Sequence, residues 1–230
     1  MTIGHRTLGH GPHKVLALHG WFGDESCFDP MRDAFSLDEF TYAFMAYRGY
    51  GLSRQQRGEY SMKEIAADAI DLANALEWES FSLLGHSMGG MAVQRVLADV
   101  PKRVEKLVAV TPVPASGVPF DPESWKLFEG AARSLDNRRG IIDFSTGGRL
   151  SKAWIDRIAR YSAETATVEA FARSGATVAL NHLAEDPRGA REVARLNGDG
   201  HLLAGDERPA PRRPVPTAPS ACPPRRPCSP

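Results

Sequence analysis

Residues 81–90 read Phe81-Ser82-Leu83-Leu84-Gly85-His86-Ser87-Met88-Gly89-Gly90. Phe81 to Leu84 is a short apolar run closed by a glycine, as expected for a buried strand. From Met88 the sequence predicts a helix to about Val100, stopped before Pro101. Ser87 therefore falls on a strand-to-helix turn, flanked by Gly85 and Gly89, in the context that a G-x-S-x-G nucleophile turn requires. Glycines two residues either side let strand and helix approach closely. The tight turn lifts the Ser87 hydroxyl out of the backbone, and the helix N-terminus favours negative charge developing beside it. Ser87 is the candidate nucleophile; the plainer alternative is a glycine-rich turn without catalysis.

Working outward, the same alternation recurs. Val15 to Leu18 ends at Gly20, Phe40 to Ala46 ends at Arg48-Gly49-Tyr50-Gly51, and Val104 to Val110 ends at Thr111-Pro112. Each reads as a buried strand. Ser61-Met62-Lys63-Glu64 is a capping-box sequence opening a helix to about Leu76, with Ile65, Ala69, Leu72 and Leu76 on one face. Strand–helix alternation predicts an α/β fold with a mostly parallel central sheet and helices on both faces. Residues 119–180 lack a convincing strand. Leu150, Trp154, Ile158 and Tyr161 mark one helical face there. The expected organisation is a core over residues 1–118, a helical lid insertion over 119–180, a remnant of the C-terminal core over 181–208, and a tail from 209 to 230.

A second element belongs with Ser87. His19-Gly20-Trp21 closes the strand Val15–Leu18, 66 residues before the serine. Acyl transfer needs two donors aimed at the oxyanion of its tetrahedral intermediate. The backbone N–H of Met88, just after the nucleophile, is one candidate. The backbone N–H of Trp21 is the other. The alternative for Trp21 is an ordinary turn with its ring in the core.

With these motifs assembled, the chain resembles the serine-type α/β-hydrolase superfamily: small carboxylesterases, enol-lactone hydrolases and carbon–carbon-bond hydrolases. The matching residues are His19-Gly20-Trp21, Arg48-Gly49-Tyr50-Gly51-Leu52-Ser53 and Gly85 to Gly90. Family chains often carry Asp two residues before that Arg, where this chain has Ala46. The resemblance implies an α/β-hydrolase fold, an acyl-enzyme on Ser87, and an oxyanion hole from Trp21 and Met88. It implies a small ester-like substrate and no metal or organic cofactor. A serine nucleophile disfavours the epoxide hydrolase and haloalkane dehalogenase branches, which use Asp there.

The family order continues with an acid and then a histidine, since a serine hydroxyl is a weak nucleophile until a base takes its proton. Downstream of Ser87 stand only His182 and His201. His182 reads as a helix-face residue. If Gly198-Asp199-Gly200-His201 carries the base, an acid such as Asp186 must precede it. If instead Leu202 to Glu207 is the late strand and acid loop, Asp206 or Glu207 stands about 120 residues after Ser87, beside Arg208, and no histidine follows. The second alignment expects a C-terminal part of the fold that is incomplete, by truncation or frame shift from about residue 197. It also leaves open a non-catalytic hydrolase-like protein with an incomplete triad.

Composition bounds the rest. The chain has 230 residues, 28 basic and 28 acidic, so no net charge argues for nucleic acid. No stretch approaches membrane-spanning length, and the first residues lack the order of a signal peptide, so neither a membrane nor secretion is expected. Cys27, Cys222 and Cys228 fit neither a disulfide scaffold nor a zinc site, and the cytoplasm is the expected compartment. The oligomeric state is not legible. Residues 209–230 hold nine of the 17 prolines and four arginines, with no acid and few apolar groups to bury, and are expected to be disordered. Deleting them should leave the melting temperature, followed by circular dichroism, within a few degrees of the parent; a larger drop would show that they pack on the body.

Overall fold

The computed structural model describes residues 2–179. The expectations for residues 181–208 and 209–230, including His182, Asp186, His201, Asp206 and Glu207, lie outside the described residues. Five strands form one sheet: β1 (His5–Gly9), β2 (His13–Leu18), β3 (Phe40–Met45), β4 (Phe81–His86) and β5 (Val104–Val110), in the order β1-β3-β2-β4-β5. The pairs β3–β2, β2–β4 and β4–β5 are parallel, while β1 pairs antiparallel with β3. The sheet is thus mostly parallel, as the alternation predicts. The edge strand β1 escapes sequence reading because His5-Arg6-Thr7-Leu8-Gly9 has one large apolar residue and is nowhere fully buried.

Period-two alternation sorts the strand residues onto two faces. Leu16, Leu18, Ala43, Met45, Phe81, Leu83, Leu107 and Ala109 pack under helices α1 (Met62–Ala75) and α2 (Met88–Asp99). Val15, Ala17, Tyr42 and Phe44 point the other way, against Phe28, Phe35 and Leu37. That second cover is a loop with a 3-10 turn at Asp29–Ala34 rather than a helix, so among the described residues the helices beside these strands lie on one face. The cap of α1 follows the expected motif with one difference. Ser61 Oγ accepts from the Glu64 N–H, while the Glu64 carboxylate accepts from the N–H groups of Tyr60 and Glu59 rather than that of Ser61.

Four helices follow β5: α3 (Pro122–Gly130), α4 (Leu135–Ser145), α5 (Lys152–Thr165) and α6 (Val168–Thr177). Asp121, Ser134, Ser151 and Thr167 cap them through side-chain oxygens. The expected face of α5 needs correction. Leu150 precedes the helix, and Trp154 is 53% exposed. The buried stripe runs through Ile155, Ala159 and Ser162, one position round the helix, where α5 packs against α4 and Ile142, with Leu150 and Ile158 of the expected face half-buried against the same cluster.

One polar clamp holds the end of β2. The His19 ring is fully buried and stacks on Tyr47 with centroids 3.8 Å apart. Its Nδ1 donates to the Gly20 carbonyl at 2.8 Å and its Nε2 accepts from the Tyr47 N–H at 3.4 Å, which sets the tautomer. The Tyr47 hydroxyl returns a bond to the His19 carbonyl at 2.7 Å. Burial pushes the imidazole pKa down to about 4, so the ring is neutral in the folded protein. A histidine whose folded pKa lies below its unfolded value stabilises the fold at neutral pH and loses that contribution as pH falls from about 6.5 toward 4. The difference corresponds to about 3 kcal/mol. Urea unfolding at pH 7 and pH 4.5 should therefore show a smaller loss in His19→Gln than in wild type; equal losses would assign the acid sensitivity to other groups.

Candidate active site

Ser87 sits between the end of β4 and the first turn of α2, at φ 54° and ψ −116°. A serine with positive φ is uncommon, and such strain gathers at functional turns. The surrounding backbone holds it there. The Ser87 N–H donates to the Val110 carbonyl at 3.0 Å, and the Ser87 carbonyl accepts from Val113 at 3.1 Å. The glycines of the motif are spacers in a literal sense. A Cβ on Gly85 would collide with the Gly89 carbonyl, one on Gly89 with the Leu18 carbonyl, and one on Gly90 with Pro112. Although it stands at the N-cap of α2, Ser87 makes no side-chain cap bond, so its hydroxyl is not committed to the helix.

The His19-Gly20-Trp21 loop lies beside this turn. A Cβ built on Gly20 would stand 3.3 Å from the Ser87 Cβ, which places the two loops in contact. Met88 opens α2, so its N–H is one of the donors that a helix start leaves unpaired. The Trp21 N–H has no protein acceptor among the described residues. Met88 thus follows the serine directly, and Trp21 follows Gly20, the residue in contact with the Ser87 turn. Trp21 also satisfies its alternative: the ring is 6% exposed in the core. Its indole Nε1 donates to the Phe171 carbonyl at 2.7 Å, and its ring stacks on Phe171 at 4.4 Å and Phe128 at 5.6 Å. Phe22 meets it edge-on at 5.0 Å.

The Arg48-Gly49-Tyr50-Gly51 turn braces the same region. Arg48 forms a two-pronged pair with Asp68 of α1 at 2.8 Å, which raises the guanidinium pKa. Gly49 has φ 78° and no room for a Cβ beside Ala170, and its carbonyl accepts from Thr167 at 2.8 Å. The helical segment is tied to the β2 loop a second time by Tyr161, whose hydroxyl bonds the buried Asp24 carboxylate and Ser26. Tyr47, Asp24, Arg138 and Phe171 were not singled out by sequence, and Tyr161 was named only as part of a helical face. Their roles rest on partners 24 to 150 positions away, which no local pattern records.

Among the described residues no histidine or carboxylate hydrogen-bonds the Ser87 hydroxyl, and no cluster of three or more His, Cys, Asp or Glu is placed to hold a metal ion. No described helix is long and apolar enough to cross a membrane.

A family model described as the alpha/beta hydrolase fold matches residues 14–157. A 2-heptyl-3-hydroxy-4(1H)-quinolone dioxygenase of Mycobacteroides abscessus is 30% identical over 182 residues, covering 74% of this chain and 63% of that protein. The human serine hydrolase BPHL is 27% identical over 172 residues, 70% of this chain and 58% of its own length. The chain spans between 28% and 63% of the length of the first curated relatives it matches. Among solved structures, an esterase from Exiguobacterium antarcticum superposes with a TM-score of 0.66 at 20% identity, over 80% of this chain and 71% of the esterase, a likeness of fold. The family match covers β2 through α5, including the His19-Gly20-Trp21 loop and the Ser87 turn, and the chain belongs to the alpha/beta hydrolase fold family.

Proposed function

We propose that the chain is a serine hydrolase of carboxylic esters, or of a related acyl or carbon–carbon bond, acting through an acyl-enzyme on Ser87. The observation that carries this reading is the strained Ser87 turn, its hydroxyl free of any cap bond, in contact with the Gly20 loop that carries the Trp21 N–H. In this reaction the Ser87 oxygen adds to the substrate carbonyl as a base takes its proton. The N–H groups of Trp21 and Met88 hold the resulting oxyanion, the leaving group departs with a proton, and water releases the acid. Residues 119–180 close over the acyl group as a lid, and Trp21 and Phe22 supply an apolar wall. The reading implies no cofactor, a small-molecule substrate and a cytoplasmic protein without nucleic-acid or membrane partners. The candidate base His201 and the candidate acids Asp186, Asp206 and Glu207 lie outside the described residues, and if the acid is Asp206 or Glu207 no histidine follows it.

A second reading has support of its own. The Mycobacteroides abscessus relative is a quinolone dioxygenase, and the aromatic pair Trp21 and Phe22 in the loop beside Ser87 suits a flat aromatic substrate. Oxygen uptake with 2-heptyl-3-hydroxy-4(1H)-quinolone, in the absence of ester turnover, would favour it.

A fluorophosphonate probe reacts only with an activated serine, so labelling of wild type and not of Ser87→Ala would support the enzyme, and no labelling of wild type would support the non-catalytic relative with an incomplete triad. With a chain-length series of p-nitrophenyl esters, turnover should exceed that of Ser87→Ala yet remain slow, and His201→Ala should change it little. Losing the base of a related triad lowers kcat on the order of a million-fold, leaving what the oxyanion donors and binding supply. Brisk turnover abolished by His201→Ala would instead assign His201 as the base of a complete triad.

A further inference from the structure

Arg138 is a cation in an unusual place. It lies on α4, is 3% exposed, and has no carboxylate partner among the described residues. Burying a charge without a counter-ion is unfavourable unless its donors are satisfied, and a well-packed apolar side chain would do as well for stability alone. The guanidinium instead spans the joints of the helical segment. Its Nε donates to the Ala131 carbonyl at 2.8 Å, one terminal nitrogen to Ser162 Oγ of α5 at 2.8 Å, and the other to the Ala132 carbonyl at 3.3 Å. These bonds tie the α3–α4 junction to α5. Its plane lies over the Phe171 ring at 3.5 Å, an attraction strengthened by the absence of water. The guanidinium pKa is lowered by burial to about 10, so the group remains charged at neutral pH.

Phe171 hands this anchoring on. Its ring meets Phe22 edge-on at 5.2 Å and stacks on Trp21 at 4.4 Å with 25° between planes, and the Phe171 carbonyl takes the indole N–H at 2.7 Å. Gly175, one turn further along α6, has no space for a Cβ because the Trp21 ring fills it. The Trp21 side chain is therefore gripped by α6, while its backbone belongs to the loop whose Gly20 lies against the Ser87 turn. From the opposite side the loop is held through His19 and Tyr47.

We propose that Arg138, acting through Phe171, is a positioning residue for the Trp21 backbone N–H, so that the packing of the helical segment sets the oxyanion geometry at Ser87. This deepens the serine-hydrolase reading and rests on it for its catalytic consequence. A donor misplaced by an ångström can lower a rate about a hundredfold, and loss of one oxyanion donor about a hundred- to a thousandfold. The effect falls on the transition state and leaves ground-state binding largely alone.

The test uses the full chain and two variants. Arg138→Met removes the cation and its fork at similar length. Trp21→Phe keeps a stacked ring and removes the indole donor, which covers the case in which Arg138→Met does not fold. In each folded variant, fluorophosphonate labelling of Ser87 should slow at least tenfold, and ester kcat should fall while KM stays within about twofold. A second readout does not depend on activity: in nuclear magnetic resonance, hydrogen exchange of the Trp21 indole N–H should be at least tenfold faster in Arg138→Met than in wild type. Unchanged labelling in both folded variants, or unchanged Trp21 exchange in folded Arg138→Met, would overturn the proposal. If wild type itself is not labelled, the nucleophile reading fails, and the exchange comparison still decides whether Arg138 positions Trp21.

Discussion

The site depends on one close approach of backbone to backbone. The end of β2 and the start of α2 come so near that Gly89 has no room for a side chain beside the Leu18 carbonyl, and Gly20 faces the Ser87 Cβ across a single van der Waals contact. Parallel strands β2 and β4 are neighbours, so the loops leaving their carboxyl ends emerge side by side. In an open α/β sheet that is where ligands are bound. Any bulk at Gly85, Gly89 or Gly90 would push the turn off the sheet, and with it the serine and the N–H of Met88. The strain at Ser87 is held by bonds from β5 and the loop after it, through Val110 and Val113.

Trp21 joins two bodies of structure at this approach. Its backbone belongs to the loop after β2, and its ring belongs to the packing of α3 and α6 through Phe128 and Phe171. Geometry in the core is thereby coupled to how the four helices dock. Tyr161 and the Gly49–Thr167 bond reinforce the docking at two other points of the same loop cluster. The buried His19, Asp24 and Arg138 in this region have partners in the fold. Polar residues placed so are expensive to bury and specify a unique arrangement when satisfied.

Much of the architecture was legible because the signals were local. The strands β2 to β5 announced themselves as apolar runs ending in turn residues, and α1 and α2 by a capping box and a proline stop. The edge strand β1 was not legible, since an edge needs only one buried face and few apolar residues. The face of α5 was displaced by one position because bulk is a poor guide when a helix packs by its small residues: Ala159 and Ser162 sit inside while Trp154 faces solvent. Ser87, Trp21 and Met88 could be named as candidates because short motifs mark them; the residues that hold them in place could not.

By itself, then, the sequence determined the α/β pattern, the strand-to-helix turn at Ser87, the neighbouring His19-Gly20-Trp21 loop, and the family those motifs resemble. All are encoded within a few consecutive residues by propensity, periodicity and glycine spacing. Only the tertiary structure decided that β2 and β4 stand adjacent, that His19 is a neutral clamp on Tyr47, and that Trp21 is gripped by α6 through Phe171 and Arg138. The physical reason is range. Hydrogen bonds and ring stacking between residues far apart in sequence form only when the sheet has brought their elements together, and no local pattern carries that information.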